Sequence, residues 1–143
     1  MCSDGTIVEN KYQLDKSALP DNLLKWIKQN ITDKFTKASY SRSLNIKSST
    51  LGPHTDRSRA FVLEYLLHSG GHQHKTVFYR HKNKNIVLTR PMFLNYDEVI
   101  EICSIVVPQH TWTLQNSQII HSVENIPDIR HGIYLGFEEN PFI

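Results

Sequence analysis

From Leu44 to the C-terminus the chain is a succession of short apolar runs separated by polar, glycine-containing or proline-containing turns, with no second stretch of helical spacing. This order constrains the fold more than any other feature. The runs lie at Leu44 to Ser48, Arg59 to Leu67, Thr76 to Tyr79, Ile86 to Leu88, Val99 to Val107, Trp112 to Leu114 and Ser117 to Val123. A final strand alternates Ile133, Leu135 and Phe137 with Tyr134, Gly136 and Glu138. Upstream, Thr6-Ile7-Val8 and Tyr12 suggest a short first strand. Between Asp21 and Lys37, Leu23, Leu24, Ile27, Ile31 and Phe35 recur at helical spacing, while Lys25, Lys28 and Lys34 fall on the other side. That is an amphipathic helix, expected to pack on the outside of a sheet. One helix followed by many strands, without repeated crossover helices, fits a mostly β, double-stranded β-helix (jelly roll) better than an α/β fold.

With 143 residues the chain can bury roughly two thirds of its extended surface, enough for a single domain spanning 1–143 that needs no disulfide framework. Of the two cysteines, Cys103 sits in the apolar run from Val99 and reads as a small core side chain. No run approaches the roughly twenty apolar residues that cross a bilayer, and the opening residues lack the pattern of a leader. Cytoplasmic residence, as a monomer or homodimer without membrane association, is the expectation. A formal charge of +2 implies no partner by itself. Glu64 interrupts the apolar run around it, so one edge or face of that strand is expected to meet water.

Two segments carry candidate chemistry. In Gly52-Pro53-His54-Thr55-Asp56, residues at i and i+2 of an extended segment point to the same side, so His54 and Asp56 can reach one metal ion together. A third donor, His121, lies between the apolar pair Ile119-Ile120 and Val123, where a neighbouring strand would deliver it. Two imidazoles and one carboxylate on one side of a metal form the facial triad that suits non-haem Fe(II). A hydrogen-bonded loop histidine and a turn-capping aspartate would leave the same trace at His54 and Asp56. Arg130 follows nine residues after His121, directly before the last apolar segment. Its planar fork suits a carboxylate, with an ion pair to Glu124 or Asp128 as the alternative use. Thr76 or Tyr65 would complete such a pocket by hydrogen bonding, and Asn116 is a further pocket candidate.

Taken in order, His54-x-Asp56, His121 and Arg130 resemble the 2-oxoglutarate and Fe(II)-dependent oxygenases, in particular their small prolyl- and aspartyl-hydroxylase-like members. Gly70-Gly71 and the following Thr76-Val77-Phe78-Tyr79 resemble the family's glycine-rich turn and next strand. The resemblance covers roughly Leu51 to Phe137. It implies Fe(II) held by His54, Asp56 and His121, with 2-oxoglutarate and O2 as cosubstrates and Arg130 on the far carboxylate. It also implies hydroxylation of an amino-acid, peptidyl or small-metabolite substrate; the carboxylate of Asp56 favours hydroxylation over halogenation. Two other readings stay open. One is a cupin-like metal enzyme that does not use 2-oxoglutarate. The other is a nucleic-acid-binding module built on Arg80, His81, Lys82 and Lys84 beside Tyr79, a run that equally describes a solvated hairpin. His68, His72 and His74 around the glycine turn read as solvent-facing loop histidines.

Overall fold

The computed structural model describes residues 12–45 and 49–143. The suggested strand at Thr6 to Val8, and Ile46 and Ser48 of the next run, lie outside the described residues. Ten strands follow in order: β1 (Tyr12–Ser17), β2 (Lys37–Asn45), β3 (Ser49–Thr55), β4 (Phe61–Ser69), β5 (Lys75–His81), β6 (Met92–Phe93), β7 (Val99–Ile105), β8 (Trp112–Asn116), β9 (Ile120–Ile126) and β10 (Arg130–Phe137). Helix α1 (Asp21–Asn30) lies between β1 and β2, and a single 3-10 turn (Tyr96–Glu98) precedes β7. One sheet has the order β1-β2-β10-β4-β8 and the other β6-β3-β9-β5-β7, with antiparallel ladders throughout. From β2 to β5 the chain changes sheet at every connection, and it does so again from β7 to β10. This is the jelly roll that the strand order implied.

The main apolar core sits outside the sandwich, under the helix. Leu19, Ile27, Leu63, Leu135 and Phe137 form its buried centre, and Leu23, Leu24, Ile31, Phe35, Trp112 and Leu114 pack around them. Alternation explains the arrangement: Leu63 of β4 and Leu135 and Phe137 of β10 project from the same face of adjacent strands, and Ile27 closes over them. Each such side chain contributes about 1.5–3 kcal/mol through burial. The helix stops at Asn30 rather than at Lys37. Past the Ile31 cap, the Lys34 N–H donates to the Thr32 hydroxyl in a local turn. Phe35 still reaches the core from the connection, which is why its spacing continued the helical pattern.

A smaller cluster of Val77, Tyr79, Val99 and Ile120 is packed against Leu94 on the second sheet. Several local expectations change at this sheet. The run Ile86 to Leu88 forms no strand, and Val87 and Leu88 are exposed. Cys103 is exposed because β7 ends the sheet and pairs with β5 alone. Gly70 and Gly71 adopt positive φ, turning β4 toward β5, and a Cβ at Gly70 would collide with Ile126. His74 is not a solvent-facing loop residue. Its ring is 5% exposed and spans the carbonyls of Gly71 (2.7 Å from Nδ1) and Val107 (2.9 Å from Nε2), tying the turn to the segment after β7.

Candidate metal centre

His54 and His121 are direct cross-strand partners of β3 and β9, and the same row continues to Phe93 of β6 on one side and Phe78 of β5 on the other. The two imidazole centroids are 4.5 Å apart, with Phe93 stacked on His54 at 6.2 Å and Phe78 at 6.3 Å from His121. Asp56, two residues beyond His54, returns to the same side as the i, i+2 spacing requires. Its Oδ1 lies 3.5 Å from Nε2 of both His54 and His121. One donor atom from each of the three residues falls within 4.8 Å of the others, a group able to hold a metal ion.

The surroundings orient each donor. His54 Nδ1 lies 2.7 Å from the Gly52 carbonyl oxygen and His121 Nδ1 lies 2.8 Å from that of Ile119. A proton on each Nδ1 donates to its carbonyl, so both Nε2 atoms face Asp56 and offer lone pairs to a metal once their own protons have left. The Arg59 Nε–H donates to Asp56 Oδ2 at 2.6 Å, so Oδ1 alone is turned toward the histidines. Burial alone would raise the Asp56 pKa. Hydrogen bonds from His121 and His54 and the charge of Arg59 outweigh it and hold the carboxyl well below the usual carboxylate range. Two neutral imidazoles and one ionised carboxylate constitute a donor set that fits a divalent first-row metal, and protons on Nε2 must leave for it to bind.

The triad opens into a cavity of about 380 Å³ between the two sheets. Its walls carry polar side chains alongside Val62, Val123 and Ile126: Ser41 and Ser43 of β2, Glu64 of β4, Thr76 of β5, Gln115 of β8 and Arg130 of β10. Lys16, Arg57 and Arg59 also line it, and of these Lys16 and Arg57 are exposed. Arg130 is buried; its Nη1–H donates to the Ser69 carbonyl at 3.3 Å and its Nη2 lies 3.5 Å from Glu64 Oε2. Gln115 donates through Nε2 to Glu64 Oε1. Burial raises the pKa of Glu64, against the opposing charges of Arg130, Arg59 and His121. Thr76 is 1% exposed, and its hydroxyl has no hydrogen-bond partner among the described residues.

Of the residues singled out from sequence, His54, Asp56, His121, Arg130 and Thr76 line this one cavity. Tyr65 does not: it is adjacent to Glu64 on β4, so its ring turns the other way, to Trp112 at 5.2 Å and His110 at 6.3 Å. Asn116 also lies elsewhere, its Oδ1 accepting from the Gln118 N–H in the turn after β8; its neighbour Gln115 lines the cavity instead. Arg130 pairs with Glu64 rather than with Glu124 or Asp128. Glu64 itself overturns the expectation of a water-facing residue, because its face of β4 looks into the sandwich. Its signal was in the sequence, as a lone charge inside an otherwise apolar strand. Tyr79 is buried, with its hydroxyl 2.9 Å from Ser122 and donating to Glu124, so the aromatic ring beside the basic turn is unavailable for base stacking.

The fold and the site therefore define a jelly roll with an internal His/Asp/His group able to hold a metal ion. No protein-family model matches the chain, and no curated protein matches it. Among solved structures, an RmlC-like cupin protein from Desulfovibrio desulfuricans is similar at 8% identity and a TM-score of 0.40, over 90% of this chain and 84% of that one. Among the described residues no helix is long and apolar enough to cross a membrane.

Proposed function

We propose that this protein is an Fe(II)- and 2-oxoglutarate-dependent oxygenase that hydroxylates an amino-acid, peptidyl or small-metabolite substrate. The observation that carries the reading is the content of one cavity: a His/Asp/His triad, a buried arginine and a buried hydroxyl without a partner among the described residues. Iron, held by His54, Asp56 and His121, would supply the activation of oxygen. The chain's own part is binding and orientation. Arg130 presents its fork to the far carboxylate of the cosubstrate, and Thr76 Oγ1, without a partner among the described residues, has a hydrogen bond to give. The volume falls at the small end of the roughly 300–1,000 Å³ range of ligand sites. At the mouth, the exposed Lys16 and Arg57 favour an anionic substrate.

A metal enzyme that does not use 2-oxoglutarate is the second reading, and one observation favours it: Glu64 already faces the Arg130 guanidinium. Titration of the anaerobic Fe(II) protein with 2-oxoglutarate separates the two. Arg130→Ala should retain iron and lose roughly thirtyfold or more in cosubstrate affinity, as expected for truncating one partner of a buried charge-assisted contact. Arg130→Lys should recover only part of that loss. Absence of binding by the wild type at millimolar 2-oxoglutarate would leave the second reading ahead. Unchanged affinity in a folded, iron-loaded Arg130→Ala protein would remove the arginine from the assigned role.

A further inference from the structure

Glu64 and Gln115 make the Arg130 end of the cavity different from a simple carboxylate receptor. Glu64 is as buried as its core neighbour Leu63, yet two polar partners hold its two oxygens: Gln115 at Oε1 and Arg130 at Oε2. An arriving carboxylate would therefore share the guanidinium with a carboxylate that belongs to the protein. Two anions on one buried cation repel each other, and the protein's own carboxylate cannot leave into solvent without unravelling its contacts. Neutralising it is the remaining route.

We propose, resting on the cosubstrate reading above, that Glu64 is a proton-gated competitor for Arg130, so that 2-oxoglutarate binds together with one proton taken up from solvent by the Glu64 carboxyl. Nothing is oxidised in this step: a buffer acid or hydronium ion in solvent gives up the proton, and the new O–H bond converts the glutamate to its neutral acid. The charged groups facing Glu64 are Arg130 from β10, Arg59 and Asp56 from the segment before β4, and His121 from β9. Lys16 lines the same cavity from β1. With iron in place, His121 and Asp56 are committed to the metal, and the arginines stay charged at all working pH values. Glu64 is left as the acceptor, and the direction of its pKa agrees, since burial already favours the protonated form.

The test is calorimetric titration of anaerobic, Fe(II)-loaded protein with 2-oxoglutarate at several pH values between 6 and 9, in pairs of buffers with different ionisation heats. Proton uptake should rise toward one per site with pH, and affinity should fall by up to about tenfold per pH unit once Glu64 is ionised. Glu64→Gln, which keeps the amide contacts without the charge, should bind 2-oxoglutarate with no proton uptake and with a flat pH dependence. Zero uptake by the wild type at every pH, or the same uptake in Glu64→Gln, overturns the proposal, and the wild-type buffer comparison stands even if the variant does not fold. Failure of both proteins to bind 2-oxoglutarate at any pH while holding Fe(II) overturns the cosubstrate reading instead.

Discussion

Leu63 and Glu64 are neighbours on β4 and each is only 3% exposed, but they belong to different halves of the molecule. Leu63 faces outward into the apolar cluster under α1, whereas Glu64 faces inward to Arg130 and Gln115 at the cavity wall. The same division runs along β10, where Leu135 and Phe137 join the helix side while Arg130 joins the cavity. One sheet thus serves two purposes through its period of two. Its outer face supplies the apolar burial that holds the fold, which frees the inner face to carry charge, hydroxyls and empty volume. A sandwich with its main core between the sheets would have no room for such a site.

If the two faces are separable, substitutions on one should leave the other intact. The largest effect is expected from the residues proposed to hold iron: alanine at His54, Asp56 or His121 should lower Fe(II) affinity by more than about 100-fold, beyond the 10–100-fold typical of residues that only orient ligands. Equilibrium dialysis measures this, and circular dichroism should show the strands unchanged. Wild-type affinity in any two of these variants would exclude the triad. On the opposite face, Leu135→Ala should cost about 2–5 kcal/mol in denaturant unfolding by opening a cavity beside Ile27 and Phe137. Fe(II) affinity, measured below the unfolding transition, should not move; a parallel loss would show that the faces are coupled.

Arg59→Ala sharpens the boundary, because Arg59 holds Asp56 Oδ2 without being a donor to the metal. A loss of about tenfold in Fe(II) affinity is expected, at the lower end of the range for orienting residues, and Arg59→Lys should restore part of it.

The smallest effect concerns pH on the outer face. Burial, His68 and Arg42 lower the pKa of His131, which is stacked on His68 at 6.2 Å and is the cross-strand partner of Arg42. In the pH interval between this lowered value and the ordinary histidine value of about 6.5, the unfolded chain binds more protons than the folded one. Stability contributed at this position therefore rises with pH through that window. Unfolding midpoints from pH 5 to 7 should climb, and His131→Gln should make the slope shallower; an identical slope would assign the dependence to other groups.

Much of this was legible in the chain itself because it depends on local periodicity. Alternating apolar residues marked the strands, the absence of crossover helices excluded an α/β layout, and the i, i+2 spacing of His54 and Asp56 anticipated that their donor atoms would meet. The order of His54, Asp56, His121 and Arg130 set out the candidate site, and all four positions share one cavity with Thr76. Misreadings arose where a side chain's phase was visible but the occupant of its face was not. Tyr65 and Asn116 each sit one residue out of phase with a cavity residue, Glu64 and Gln115, and in a strand one residue reverses the side.

Sequence by itself determined the helix after Pro20, most of the strands and the residues able to bind a metal, since propensity, alternation and donor chemistry belong to the residues. Only the tertiary structure decided that β3 and β9 pair with His54 opposite His121, that Glu64 faces Arg130 rather than water, and that Cys103 lies on an open edge. These outcomes depend on which strands become neighbours and what covers each face. That is set by long-range pairing and packing, about which a period of two carries no information.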